Sequence, residues 1–93
     1  MNARSVAEQV LKEVGGASNV KSVTHCVTRL RFNLNSIDKV NEENIKNISG
    51  VVGVVNKGGQ YQVIIGPEVA RVYSELMKLG NFDSGKVDNI KEE

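Results

Sequence analysis

The sequence predicts an α+β domain in which three helices pack on one face of a four-stranded antiparallel sheet, in the order α-β-β-α-β-β-α. Two observations support this prediction. Residues 27–34 alternate apolar and polar side chains, as a half-buried strand does. The apolar runs GVVGVVN and QYQVIIG are separated by KGG, which is a hairpin signal. Hairpin strands form an antiparallel sheet, whose apolar face needs helices to cover it.

Helices are predicted before, between and after the two strand pairs. The first has apolar residues at helical spacing, namely Val6, Val10, Leu11 and Val14. Gly15 and Gly16 end it, because glycine readily adopts the left-handed conformation. The segment DKVNEENIKNIS predicts a short second helix, with Asn41 as its N-cap. Gly66 and Pro67 open the third helix, with the proline near its first position.

The composition is typical of one small globular domain without a strong overall electrostatic field. The 93 residues are 40% hydrophobic and 25% charged, with a net charge of +1, so nucleic acid is not an expected partner. A single cysteine cannot form an internal disulfide and suits a reducing cytoplasm. The sequence contains no apolar run long enough to span a membrane and no apolar signal core near residue 1. We therefore expect a cytoplasmic domain, either native or cut from a larger protein.

The segment THCVTRLRF contains the only cysteine and the only histidine of the chain. NVKSVTH before it predicts one strand, and the alternation after it predicts the next. That alternation assigns Thr28, Leu30, Phe32 and Leu34 to one face and Val27, Arg29, Arg31 and Asn33 to the other. Cys26 is therefore expected between two strands, at a turn or at its edge.

Two interpretations of Cys26 remain open from its surroundings alone. A lone cysteine is most often a small buried side chain. Against that, a strand junction is usually accessible, and Thr28, Arg29 and Arg31 could all donate to an anion. Nearby cations favour the nucleophilic thiolate. The arginines could equally form a solvated strand face, and His25 could be an exposed loop residue without a role.

Other site classes fit less well. One cysteine and one histidine do not supply the ligands that zinc needs, so no metal is expected. The arginines lie at C-x2-R and C-x4-R, whereas a phosphatase loop has C-x5-R. A glycine-rich nucleotide loop is absent from the site. RNA binding on a sheet would need exposed aromatic side chains, but Phe32 is predicted on the apolar face.

SVTHCVTRLRFNL and the later GVVGVVNKGGQYQVIIGPEVARVY resemble the enzyme IIB domain of bacterial sugar phosphotransferase systems. The resemblance covers roughly residues 3–79 and points to the glucose/sucrose/β-glucoside superfamily. The C-x-T-R-L-R motif is its most specific part. A histidine before the cysteine looks more like the β-glucoside, sucrose or trehalose branch than the glucose branch. The family fold is a four-stranded antiparallel sheet with helices on one face.

The resemblance implies a phosphotransferase with a phosphocysteine intermediate. Cys26 would accept a phosphoryl group from a phosphohistidine of enzyme IIA and donate it to a sugar bound in membrane enzyme IIC. Thr28, Arg29 and Arg31 match the surroundings of the family's cysteine and would stabilise the phosphoryl group, with His25 as a candidate accessory residue. No cofactor is implied. The sugar itself cannot be inferred, because its pocket would lie in enzyme IIC.

The same resemblance suggests a domain division. Residues 1–79 would form the phosphotransfer domain, and residues 80–93 a flexible tail or linker towards a membrane domain. The domain would then work on the cytoplasmic side of the bacterial cell membrane. A different class of function is also open: a regulatory docking module that phosphorylation of the cysteine switches, without sugar transfer.

Overall fold

A computed structural model describes residues 1–80 and confirms the predicted order of helices and strands. The elements are α1 (Ala3–Glu13), β1 (Val20–His25), β2 (Arg29–Leu34), α2 (Glu42–Lys46), β3 (Gly53–Lys57), β4 (Gln60–Ile64) and α3 (Val69–Leu79). Two 3-10 turns lie in the connections, Ala17–Asn19 between α1 and β1 and Ile37–Lys39 between β2 and α2. None of the helices within residues 1–80 is long and apolar enough to cross a membrane. The predicted flexible tail falls almost wholly on residues 81–93, which lie outside the described part.

The four strands form one antiparallel sheet in the order β1-β2-β4-β3. Both hairpins are therefore present, and β2 and β4 are the central strands. On the face of the sheet without helices, one row of paired residues crosses all four strands and consists of Thr24, Arg31, Gln62 and Val55. This register places the arginine-bearing strand in the middle of the sheet, directly beside a strand that carries glutamines.

The core lies between the helices and one face of the sheet. On β2, Leu30 and Phe32 are fully buried, as the alternation predicted, and Tyr61 and Val63 on β4 are buried beside them. The helices contribute Val6, Val10, Ile45, Val72 and Leu76 to the same cluster. Because successive side chains of a strand point to opposite faces, burial of Leu30 and Phe32 leaves Arg29 and Arg31 on the face without helices.

The turn between β1 and β2 is longer than the alternation predicted. Val27 and Thr28 do not belong to β2, which begins at Arg29, and both side chains are exposed. The assignment of Thr28 to the apolar face was therefore wrong. The physical reason is that β1 ends at His25, so the chain must reverse direction within the next three residues before it can pair with β1.

Two helices are shorter than the sequence suggested. Of the segment DKVNEENIKNIS, only Glu42–Lys46 is α-helical, and the Asn41 side chain accepts from the N–H of Asn44 as the predicted N-cap. The third helix begins at Val69, so that Pro67 lies near its first position, as predicted, but in the turn just before it.

A buried asparagine connects the end of α1 to the sheet. Asn19 Nδ2 donates to the carbonyl groups of Val14 (2.7 Å) and Ser36 (2.9 Å), and its Oδ1 accepts from the N–H of Ser36 (2.9 Å). Gly15 lies against this side chain with φ of 111°, and a Cβ at that position would come within 2.6 Å of Asn19 Nδ2. Gly15 thus serves both the left-handed cap and this close approach.

Candidate functional site

The turn that carries Cys26 is tied to two other parts of the backbone. The N–H of Cys26 donates to the carbonyl of Arg29 (2.9 Å), which closes the hairpin end. The carbonyl of Thr28 accepts from the N–H groups of Ile65 (2.8 Å) and Gly66 (2.9 Å), in the segment that leads from β4 to α3. These bonds hold the turn in one conformation, although none of the side chains of Cys26, Val27 and Thr28 is fully buried.

The Cys26 thiol is half-buried and surrounded by hydrogen-bond donors. Partial burial by itself raises the pKa of the thiol, because it disfavours the charged form. The backbone N–H groups of Thr28 and Arg29 and the guanidinium of Arg31 are directed at the sulfur, and together they lower the pKa below its ordinary value. The site therefore favours a thiolate, which is the nucleophilic form of cysteine.

Arg31 is one of the residues that line a depression beside the thiol. The depression has a volume of about 440 Å³ and is lined by Thr24, His25, Cys26, Val27 and Arg31. The Nε atom of Arg31 is buried and has no hydrogen-bond acceptor among residues 1–80. A buried donor without an acceptor is costly, so the Arg31 guanidinium is less fully satisfied than one with all its hydrogen bonds made.

Arg29 has a different partner from Arg31. Its Nη1 donates to Oε1 of Gln62 (2.9 Å), and Gln62 Nε2 donates in turn to Oε1 of Gln60 (2.8 Å). Gln62 is only 8% exposed, so its amide is held by these bonds. Arg29 is thus anchored on β4, whereas Arg31 reaches the sulfur. The sequence prediction treated the two arginines alike and did not identify Gln62.

The remaining predicted residues lie at the same turn. Thr28 contributes its backbone, since its N–H faces the sulfur and its carbonyl anchors the turn. The His25 ring lies on the helix side of the sheet, where its centroid is 4.6 Å from that of Tyr73 on α3. Nδ1 of His25 is 2.9 Å from the carbonyl oxygen of Cys26. The structure thus directs the backbone of Thr28 and Arg29 and the side chain of Arg31 at the Cys26 thiol, whereas the side chains of Arg29 and His25 are bonded elsewhere at the same turn.

This arrangement suits a small tetrahedral anion on sulfur. Two backbone N–H groups and a guanidinium surround the sulfur, and such donors bind phosphoryl oxygens well.

Large apolar side chains are exposed on the surface of the described residues, among them Val27, 83% exposed, and Val52, 75% exposed. Within residues 1–80, no three histidine, cysteine, aspartate or glutamate side chains come close enough to hold a metal ion.

Fold and site together define a small α+β domain with one sheet face free of helices and a cysteine turn surrounded by hydrogen-bond donors at one end of the sheet. Comparison with known proteins then places it in a family. The family model described as phosphotransferase system, EIIB, matches residues 8–41, which include the turn and all of β2. A crystal structure of one domain of the PTS system IIabc component from Clostridium difficile superposes with a TM-score of 0.79 at 32% identity, covering 97% of this chain and 100% of that one.

Curated relatives agree with this placement. The chain is 41% identical over 84 residues to a β-glucoside-specific EIIBCA component from Halalkalibacterium halodurans, covering 90% of this chain. It is 40% identical over 92 residues to a sucrose-specific EIIBC component from Staphylococcus xylosus, covering 98% of this chain, and 42% identical over 86 residues to a trehalose-specific EIIBC component from Bacillus subtilis, covering 91%. The chain belongs to the EIIB family of the phosphotransferase system. It spans only 13%, 19% and 18% of these three relatives.

Proposed function

We propose that Cys26 carries a phosphoryl group from a phosphohistidine of enzyme IIA to a sugar bound by membrane enzyme IIC. The observation that supports this most strongly is the thiol whose pKa is lowered by two backbone N–H groups and Arg31, in a member of the EIIB family. The names of the relatives support the choice of partners, because they describe EIIBC and EIIBCA components for β-glucoside, sucrose and trehalose.

The proposed cycle has two displacements at phosphorus. In the first, the Cys26 thiolate attacks, a P–S bond forms, and the P–N bond to the donor histidine breaks with its electron pair returning to the ring nitrogen. In the second, a sugar hydroxyl oxygen attacks, a P–O bond forms, and the P–S bond breaks to regenerate the thiolate, while the hydroxyl proton passes to a base on the acceptor side. Such transfers depend mainly on positioning and on charge stabilisation.

Each site residue contributes to this transfer in a way that depends on its position. The N–H groups of Thr28 and Arg29 and the Arg31 guanidinium stabilise the thiolate and then the phosphoryl oxygens. Arg29, anchored on Gln62, adds a second positive charge beside the turn. An exposed turn is also needed, because two partners must reach the same sulfur in succession. A lowered thiol pKa serves the second step as well, since a stable thiolate is a better leaving group.

On this proposal, residues 1–79 form the phosphotransfer domain and residues 80–93 lead towards a membrane domain on the cytoplasmic side of the membrane. The expectation about partners can be tested with the chain as it exists. Phosphorylated enzyme IIA, labelled with ³²P, is mixed with the chain, and intact mass and radioactivity report transfer. Membrane vesicles that contain enzyme IIC are then added with β-glucoside, sucrose or trehalose in separate reactions, and labelled sugar phosphate is measured.

The control variant is Cys26→Ser, which keeps the size of the side chain but is a far weaker nucleophile at neutral pH. We expect one phosphoryl group on the wild-type chain, none on Cys26→Ser, and release of the label to one of the sugars. Circular dichroism must show that the variant is folded. Labelling of the serine variant at the wild-type rate would refute Cys26 as the acceptor. Stable labelling without release to any sugar would favour the regulatory docking module instead.

A further inference from the structure

His25 occupies an unusual position at the end of β1. It pairs with Leu30 across the hairpin, and its ring lies between the sheet and α3, next to the ring of Tyr73 at an interplanar angle of 49°. The ring is therefore held in place from the helix side, while the residue that follows it is Cys26. The sequence offered only an accessory role for this histidine, without a mechanism.

The contact of His25 with the next residue determines that its Nδ1 carries a hydrogen. Nδ1 lies 2.9 Å from the carbonyl oxygen of Cys26. A carbonyl oxygen can only accept, so Nδ1 carries the hydrogen and donates it. The sulfur of Cys26 is not the partner of this nitrogen, and the contact therefore acts on the backbone rather than on the thiol.

The carbonyl of Cys26 belongs to the first peptide unit of the turn. Because a peptide unit is planar, fixing the direction of this carbonyl also fixes the rotation of the whole unit between Cys26 and Val27. The next two peptide units supply the N–H groups of Thr28 and Arg29 that face the sulfur. A rotation at the first unit would turn these donors away from the thiol, and polar groups for charge stabilisation must be held closely to be effective.

We propose that His25 is a positioning residue: held by the Tyr73 ring, it donates to the carbonyl of Cys26 and so keeps the N–H groups of the turn directed at the sulfur. This inference rests on the proposed phosphoryl transfer for its consequence. It assigns no proton transfer to His25. It gives α3 a direct connection to the reactive turn, in addition to the bonds from Ile65 and Gly66.

Three substitutions separate the hydrogen bond from the ring contact. His25→Phe keeps a ring against Tyr73 but has no donor. His25→Asn places an amide nitrogen at the same number of bonds from Cβ as Nδ1, and thus keeps the donor without the ring. His25→Gln also has an amide donor, but it lies one bond further out, where it matches the other ring nitrogen. The Asn and Gln variants form a matched pair of similar polarity.

Two rates are measured on each folded variant: phosphoryl transfer from labelled enzyme IIA to Cys26, and alkylation of Cys26 by iodoacetamide at pH 7. In His25→Phe we expect phosphoryl transfer to fall about fivefold, from the loss of one hydrogen bond. Alkylation should fall only about twofold, because a thiolate of higher pKa is intrinsically more nucleophilic. His25→Asn should return both rates close to those of wild type, and His25→Gln should not. A merely structural role for the ring predicts the opposite order, with His25→Phe nearest to wild type.

Wild-type rates in His25→Phe would overturn the proposal, as would His25→Asn and His25→Gln rates that are equally low. If His25→Phe does not fold, the comparison of His25→Asn with His25→Gln decides alone. Failure of wild-type chain to accept the phosphoryl group would refute the proposed function instead. The alkylation rates would still test the positioning, because they need no phosphoryl donor.

Discussion

Replacement of Arg31 by glutamine should raise the pKa of the Cys26 thiol without blocking access to it. Arg31 lines the depression beside the thiol, and its guanidinium is one of the groups that lower the thiol pKa. Glutamine keeps a polar side chain of moderate length but has no charge. The backbone N–H groups of Thr28 and Arg29 remain, so part of the lowering should persist.

The size of the effect follows from the kind of interaction and from exposure. A hydrogen bond to a charged group contributes about 1.5–3 kcal/mol when it is buried. Cys26 is only half-buried, so solvent screening reduces this to roughly 1 kcal/mol. At 1.36 kcal/mol per tenfold change, this is about a fivefold change in the equilibrium between thiolate and thiol, and the thiol pKa rises accordingly.

The change in alkylation rate is smaller than the change in thiolate concentration. Below the pKa, the variant should hold about fivefold less thiolate than wild type. However, a thiolate of higher pKa is intrinsically more nucleophilic, with a Brønsted coefficient of about 0.4–0.5, which offsets nearly half of the loss on the logarithmic scale. The rate at pH 7 should therefore fall only about two- to threefold. Well above both pKa values the order should reverse, since the variant thiolate is then the better nucleophile.

The assay is alkylation by iodoacetamide across pH 6–10.5 on wild type, Arg31→Gln and Arg71→Gln. Arg71 is a suitable control because it is an exposed arginine on α3 that pairs with Glu68. We expect the profile of Arg31→Gln to cross that of wild type, and the profile of Arg71→Gln to follow it. An equal loss of rate at every pH would show a change in access, and superimposable profiles would show that Arg31 does not act on the thiol. Either result would refute this account.

Three further predictions concern the network around the turn. Asn19→Ala should lower the free energy of unfolding by about 3 kcal/mol in a urea titration, because a buried side chain loses three hydrogen bonds and their partners are left unpaired. Gln62→Leu should slow transfer from Cys26 to sugar about tenfold, because Arg29 loses its anchor, and should leave the alkylation rate of Cys26 within twofold of wild type. Unfolding free energy relative to Cys26→Ser should be highest above pH 9.0, the ordinary thiol value, and this advantage should be lost as the pH falls through the lower pKa of the folded thiol.

Much of the fold could be predicted because periodicity reports which face of an element is buried. The alternation of apolar and polar residues correctly placed Leu30 and Phe32 on the core face of β2, and KGG correctly indicated the hairpin between β3 and β4. The alternation failed at Thr28, because a repeating pattern does not show where the partner strand ends. Asn19 could not be found in this way either, because its hydrogen bonds join groups far apart in the sequence.

The site shows the same division between local and non-local information. Cys26 and its donors are neighbours in the chain, so a motif could bring them to notice, and their roles now stand as a proposal with structural support. Gln62 gave no comparable signal, since it lies 33 positions from the Arg29 that it anchors. Only the register between β2 and β4 brings the two together, and register depends on the packing of the whole core face.

That register also explains why two arginines on one strand face acquire different surroundings. Arg29 and Arg31 are separated by one residue, so each faces a different part of β4 and of the turn. Arg29 meets an amide that satisfies part of its hydrogen bonding, whereas the Nε of Arg31 is buried without an acceptor in the described residues. A group that is already satisfied gains less from an incoming anion than one that is not. The geometry thus makes Arg31 the stronger candidate for direct contact with the phosphoryl group, and Arg29 the candidate for longer-range charge stabilisation.

Arg31→Lys should therefore slow transfer from Cys26 to sugar more than Arg29→Lys, since lysine retains the charge but loses the planar arrangement of donors. Equal rates for the two lysine variants in the same transfer assay would show that register has not given the arginines separate roles.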